Sequence, residues 1–148
     1  ARRYFETLDV FIAAAAVADY RPAEPYNGKL KKSSESLTLH LVKNPDILLE
    51  FGKQKQAHQL SIGFALEIQD ALENAKAKLM LKNCDMIALN HAHEADAGFE
   101  VDTNRLTLIF KDGTIEQLPL QAKRTAAKMI FEKANFFFQK SSLTSLQQ

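Results

Sequence analysis

The chain has 148 residues, 46% of them hydrophobic and 25% charged, with 19 Lys and Arg against 18 Asp and Glu. This length supports one domain, the composition is that of a globular rather than a disordered protein, and the net charge of +1 gives no reason to expect nucleic acid or a membrane as partner. A single cysteine, Cys84, excludes an internal disulfide and, with apolar runs too short to cross a membrane and no signal peptide, predicts a cytoplasmic protein.

The first predicted element is a strand over residues 9–17, where the sequence is continuously apolar. Such a run suits a strand buried on both faces of a parallel sheet. Its second half is alanine, and small side chains at the carboxyl end of a strand let a ligand approach the backbone. Residues 1–7 are typical of the end of a helix, so we expect that the domain has an earlier part that this sequence does not contain.

The next region is predicted to be an arm that projects from the core. Residues 18–28 contain two prolines and predict a loop, whereas residues 37–41 alternate apolar and polar and predict a half-exposed strand. Lys29, Lys31 and Lys32 lie between them. They are either a charged edge that prevents aggregation or a mobile cationic flap for an anionic ligand such as a triphosphate.

Two helices and two buried strands follow in alternation. Asn44 and Pro45 are typical of an N-cap and a first helical residue, which predicts a helix to about Lys55. Asp70 is predicted to cap a second helix, which ends at about Lys82. The apolar runs over residues 60–66 and 85–90 predict buried strands.

The end of the chain is predicted to form a hairpin and a helix. Asp112-Gly113 separates two short apolar segments, residues 106–110 and 114–118, which is a strong hairpin signal. A last helix over residues 121–139 is expected to bury Ala127, Ile130, Phe131, Ala134 and Phe138. Residues 140–148 are predicted to be a flexible tail.

Strands that alternate with helices predict an α/β protein with a three-layer αβα, Rossmann-like architecture. We expect a mostly parallel sheet with a projecting β arm and a C-terminal β-hairpin plus helix.

Several chemistries lack their sequence signatures. The glycine patterns of dinucleotide binding, of the phosphate-binding P-loop and of serine hydrolases are all missing from the sequence. His91 and His93, with Glu94 and Asp96, are either mixed metal ligands or a solvated polar loop, and the second interpretation is favoured because no second ligand cluster follows at a recognised spacing.

Three weaker features are candidates for ligand binding. Lys78 and Lys82 are four residues apart on one helix face, and the amides after Asn44 lie at a helix N-terminus, where phosphate can bind. Asp19, directly after the alanine-rich strand, occupies a typical position for a carboxylate that holds ribose hydroxyls. Each alone is also explained by a solvated face, a cap or a turn. Together they place an acidic group, a helix N-terminus and lysines around the ends of successive strands.

Six segments in this order resemble the bacterial phosphopantothenate–cysteine ligases of coenzyme A biosynthesis, over nearly the whole chain to about residue 139. These segments are residues 15–20 (AAVADY), 29–32 (KLKK), 42–47 (VKNPDI), 63–67 (GFALE), 78–82 with a lysine at each end, and 98–104, which begins with Gly-Phe and ends in Asp-x-Asn. The lysine-rich flap is similar to that of the CTP-using bacterial enzymes rather than the ATP-using eukaryotic ones.

The resemblance implies a ligase that uses CTP and Mg²⁺ to join 4'-phosphopantothenate to cysteine through an acyl-cytidylate. It implies that Lys29 is catalytic and closes over the phosphates, that the arm 29–42 forms a homodimer, and that a flavin-dependent decarboxylase is fused to the ligase or is a separate partner; it leaves the metal ligands unknown. CTP binding is assigned by the resemblance to Ala13, Ala14, Ala15, Asp19, Lys29, Pro45, Asp46, Ile47, Leu48, Phe64, Lys78 and Lys82.

In this interpretation residues 1–139 are the CTP-binding and dimerisation part of a ligase domain whose first strands, phosphate loop and catalytic asparagine precede this segment. We therefore expect that the chain alone cannot complete the reaction. The alternative is a non-catalytic nucleotide-binding and dimerisation module. A nicotinamide-binding oxidoreductase would fit the fold but lacks the glycine pattern.

Overall fold

The computed structural model describes residues 2–29, 36–91 and 102–145. A short 3-10 turn, Arg2–Tyr4, precedes the first strand. The strands are β1 Val10–Ala13, β2 Tyr20–Pro22, β3 Leu41–Lys43, β4 Leu60–Glu67, β5 Met86–His91, β6 Thr103–Asn104, β7 Leu106–Phe110, β8 Ile115–Gln117 and β9 Gln121–Ala122. The helices are α1 Ile47–Gln54, α2 Ala71–Leu81 and α3 Lys123–Ser145.

The main sheet has five strands in the order β1-β4-β5-β7-β8. β1, β4 and β5 run parallel, with Val10 opposite Leu60 and Ile62 opposite Met86. β7 and β8 then add antiparallel strands. The parallel strands therefore form the half of the sheet that includes β1, and their carboxyl ends lie at the same edge.

Helices cover both faces of this sheet, which gives the predicted three layers and confirms the α/β fold class. On one face Leu48 of α1 and Ala75 and Leu79 of α2 pack with Ile87 and Leu89 of β5. On the other face α3 packs against the sheet through Ala126, Ile130 and Ala134. None of the helices in the described ranges is both long and apolar enough to cross a membrane.

Polar side chains form hydrogen bonds and an ion pair at the amino ends of the sheet strands. Gln59 is buried and its Nε2 donates hydrogen bonds to the carbonyls of Phe5 and Leu8, at 2.5 and 2.7 Å, so that the first turn is held against the sheet. Lys55 and Asp85 form an almost buried ion pair, and Asp85 also accepts hydrogen bonds from the backbone N–H and the hydroxyl of Ser61. These contacts lie away from the carboxyl ends of the strands.

The arm differs from its prediction. Residues 36–40 form no strand, and the strand of this region is β3, which begins at Leu41. β3 pairs with β2, and β2 lies inside residues 18–28, which were predicted to be a loop. The last paired residues of this ladder are Pro22 and Leu41, and the N–H of Ala23 then donates to the carbonyl of His40 at 2.8 Å. Residues 30–35 of the arm, with Lys31 and Lys32, lie outside the described residues.

Two other element predictions need correction. The first strand ends at Ala13 rather than at residue 17. α3 runs from Lys123 to Ser145, past the predicted end near residue 139, and whether the tail is flexible stays a prediction. Its buried face is Ala126, Ile130 and Ala134. The predicted Ala127 and Phe131 are exposed, because the face that packs on the sheet repeats every four residues from Ala126.

Candidate functional site

A cleft of about 470 Å³ opens at the carboxyl ends of β1 and β4, beside the start of α1. Its wall is formed by residues 13–19, 44–48 and 64–66, together with Lys78, Lys82 and Asn90. This is where open parallel sheets bind ligands. A second groove, of about 410 Å³, lies at the amino ends of β1 and β4 beside Phe131, but its surface is almost entirely carbon.

The cleft brings together every residue of the predicted nucleotide site except one. Lys29 is not part of the lining; it is the last described residue before the gap at 30–35. The residues in the lining are Ala13, Ala14, Ala15, Asp19, Pro45, Asp46, Ile47, Leu48, Phe64, Lys78 and Lys82.

Asn44 fixes the alanine-rich segment against the start of α1. Its side-chain Nδ2 donates to the carbonyl of Ala18 at 2.7 Å, and its backbone N–H donates to the carbonyl of Asp19 at 2.8 Å. Its Oδ1 accepts from Arg21 at 3.1 Å. Asn44 therefore joins two walls of the cleft instead of capping the helix as the sequence predicted.

Asp46, rather than Asn44, is the N-cap of α1, and Ile47 rather than Pro45 is its first residue. Asp46 Oδ1 accepts from the N–H of Leu49 at 3.0 Å, and its Oδ2 lies 3.0 Å from Nζ of Lys82. Burial raises the pKa of Asp46, but the hydrogen bond from Leu49 and the Lys82 ammonium outweigh it, so that the pKa lies below its ordinary value. Asp46 is thus ionised at neutral pH.

The second lysine of the cleft also has a carboxylate partner. Lys78 Nζ lies 3.4 Å from Oε1 of Glu67, the last residue of β4. Lys78 is on α2 and Lys82 is the C-cap of that helix, and both are about a quarter exposed. They can turn toward an anion in the cleft because their stems are flexible.

Asn90 lines the cleft although it was not among the site residues predicted from the sequence. It lies on β5 opposite Leu66, and its Oδ1 is buried and has no hydrogen-bond partner among the described residues. A buried polar atom without a partner is a place for a ligand donor or a water. The signal that could have identified Asn90 is the one that identified Asp19: a polar residue at the carboxyl end of a buried strand.

Within the described residues, no group of three or more His, Cys, Asp and Glu side chains is arranged to hold a metal ion. Of the histidine-rich candidate, His91 ends β5, and His93, Glu94 and Asp96 lie outside the described residues.

Comparison with known sequences gives one family and several relatives. A sequence model described as the DNA/pantothenate metabolism flavoprotein C-terminal domain, or DFP, matches residues 1–136. A protein named cysteine/cysteine sulfinic acid decarboxylase, from an unknown prokaryotic organism, is 42% identical over 129 residues, which are 87% of this chain and 36% of that protein. The coenzyme A biosynthesis bifunctional protein CoaBC of Bacillus subtilis (strain 168) is 41% identical over 119 residues, or 80% of this chain and 29% of that protein.

The chain thus spans about a third of the length of these curated relatives. Among solved structures, the crystal structure of the C-terminal domain of CoaBC is similar with a TM-score of 0.74 and 32% sequence identity. The similarity covers 94% of this chain and 59% of that one.

Proposed function

The chain belongs to the family of DNA/pantothenate metabolism flavoprotein C-terminal domains, and we propose that it forms the CTP-binding part of a phosphopantothenate–cysteine ligase in coenzyme A biosynthesis. The similarity to CoaBC proteins supports the pathway. The CTP-dependent reaction is supported by the six motifs and by the cleft. The observation that carries the proposal is that one cleft unites the alanine-rich segment, Asp19, the start of α1 and the two lysines Lys78 and Lys82.

In the proposed reaction the carboxylate of 4'-phosphopantothenate attacks the α-phosphate of CTP, which releases pyrophosphate and forms an acyl-cytidylate. The amine of cysteine then attacks the acyl carbon, and CMP leaves with the bonding electron pair. Negative charge grows on the phosphates in the first step, so cations fixed nearby lower its barrier. Lys78 and Lys82 supply such cations from the cleft, and Lys29 is proposed to approach from the arm.

The residues of the cleft fit a Mg²⁺ ion that arrives with the triphosphate. Magnesium usually takes one or two protein carboxylates together with substrate phosphates. Asp46 is already paired with Lys82, whereas the carboxylate of Asp19 forms no ion pair within the described ranges, so Asp19 would hold the ion. When bound there, the ion would neutralise phosphate charge.

A second candidate is a non-catalytic nucleotide-binding and dimerisation module. It is favoured by the arm, where Leu37, Leu39 and Leu41 alternate along the chain and are each about half exposed or more. A row of exposed leucines suits an interface with a second copy. The two candidates share the cleft and differ in whether the bound nucleotide reacts.

The proposal is tested by the melting temperature of the purified chain with CTP or ATP in the presence of Mg²⁺. CTP at ten times its Kd should stabilise the fold by about 1.4 kcal/mol, which raises the Tm by about 4 °C in a domain of this size, and ATP should do less. Lys82→Ala should reduce the CTP-induced shift. Lys76→Ala is the control, because Lys76 pairs with Glu73 outside the cleft. An equal shift with ATP would contradict the preference for CTP, and no shift with CTP would contradict CTP binding.

A further inference from the structure

Both lysines of the cleft are already engaged by carboxylates from other segments. Lys82 pairs with Asp46 at the start of α1, and Lys78 pairs with Glu67 at the end of β4. These four side chains carry no net charge. An incoming phosphate therefore does not meet two free cations; it must compete with two carboxylates for them.

Asp46 is held more firmly than Lys82. Asp46 is fixed by its capping hydrogen bond from Leu49, and the backbone of Glu67, the last residue of β4, is paired with His91 of β5. Lys78 lies on α2 and Lys82 is its C-cap, and both have long flexible stems. We therefore expect the lysines to move toward a phosphate that binds.

The competition acts on any phosphate anion. A pyrophosphate or a nucleoside triphosphate that contacts both lysines has to displace the same two carboxylates. The ion pairs therefore subtract about the same free energy from the binding of either ligand.

We propose that Asp46 and Glu67 occupy Lys82 and Lys78 and so lower the affinity of the cleft for phosphate anions, which must displace these carboxylates to bind. The inference rests on the proposed function in so far as the favoured ligand is CTP. The competition itself concerns any phosphate anion and can be measured without CTP.

Two substitutions each remove one of these negative charges with little change in shape. Asp46→Asn removes the charge but keeps the cap, since asparagine caps helices as well as aspartate does. Glu67→Gln removes the second charge at nearly constant shape. The matched control is Glu73→Gln, which removes a carboxylate from an ion pair with Lys76 on the same helix, outside the cleft.

The experiment is a calorimetric titration of each form with metal-free pyrophosphate and with CTP at one low ionic strength. D46N and E67Q should bind both pyrophosphate and CTP about two- to five-fold more tightly than the wild-type chain, in line with the modest strength of partly exposed ion pairs. E73Q should match the wild type. In a Lys82→Met background the gain from D46N should vanish, whereas an effect through the fold would persist.

Unchanged or weaker pyrophosphate binding in D46N and E67Q would overturn the inference, as would the failure of every form to bind pyrophosphate. If the proposed function fails instead, the same measurements would give a different pattern. Tighter pyrophosphate binding in the variants, in a protein that does not distinguish CTP from ATP, would support the competition and reject the CTP ligase.

Discussion

Asn44 and Asp46 show how one tertiary contact can overrule a local signal. Both residue types are good N-caps, and only two positions separate them, so the local sequence cannot decide which one caps α1. The decision comes from Ala18, a distant residue whose carbonyl accepts a hydrogen bond from Asn44. The sequence therefore predicts where the helix begins, and the contact with Ala18 determines that Asp46 rather than Asn44 faces Lys82.

Cys84 is a second residue whose behaviour follows from its surroundings. It is fully buried between α2 and β5, next to the Lys55–Asp85 ion pair. Burial raises its pKa to about 11, the positive charge of Lys55 lowers it slightly, and the negative charge of Asp85 raises it.

We expect the native thiol of Cys84 to resist alkylation. With a pKa of about 11, only about one thiol in a thousand is ionised at pH 8, and the thiolate is the reactive form. Iodoacetamide should therefore modify the unfolded chain at pH 8 at least a hundred-fold faster than the folded chain, as followed by mass spectrometry. Rapid modification of the folded chain would show that Cys84 is not enclosed as described.

At the level of elements, Gly52 couples the helix that begins the cleft to the helix that carries its lysines. Its carbonyl accepts a hydrogen bond from Asn83 at 2.7 Å, and a Cβ at this position would lie 1.9 Å from the carbonyl oxygen of Lys82. α1 and α2 are thus in backbone contact at their carboxyl ends. A glycine inside a predicted helix gave no indication of this contact.

Gly52→Ala should destabilise the fold by about 3 kcal/mol, because two backbone segments would have to separate. Urea denaturation of the variant and the wild type measures the difference. Gly63→Ala is the comparison: its new Cβ would meet the ends of the Ile87 and Leu48 side chains, which can rotate away, so we expect a smaller loss. A loss at Gly52 no greater than that at Gly63 would contradict the close contact.

The long elements were predictable and the short ones were not. The buried strands β4 and β5, the hairpin around Gly113 and the three helices each repeat a pattern over enough residues to be recognised. β2 and β3 have three residues each and form only because they meet each other. Residues 37–40 have the alternation of a strand, but the β2–β3 pairing begins only at Leu41.

On the scale of the whole molecule, the topology assembles the cleft from segments that are far apart in the sequence. The parallel order β1-β4-β5 brings residues 13–19, 64–66 and Asn90 to one edge, as the βαβ pattern predicted. Asn90 was not predicted, although it is a polar residue at the carboxyl end of a buried strand, and its unpartnered side-chain oxygen adds a reason to include it. The role of Lys29 and the dimer remain predictions.

If the arm forms a dimer, replacing Leu37 and Leu39 by Asp should shift the protein toward monomer, because charges would then lie in an apolar contact. Sedimentation equilibrium measures the dissociation constant, and we expect it to rise at least ten-fold. Leu81→Asp is the control, since Leu81 is equally exposed but lies on α2. A protein that is monomeric before substitution, or a dimer unaffected by it, would argue against the arm as the interface.

The pairing of β1 with β4 also has a consequence for folding kinetics. Val10 meets Leu60 only after a long loop has closed, whereas β7 and β8 are joined by a tight turn and β5 pairs with β7 nearby in the main sheet. Contacts between distant parts of a chain form slowly because closing the loop loses entropy first. The half of the sheet around the hairpin should therefore consolidate early, and the ligand-binding edge should be the last part of the molecule to mature.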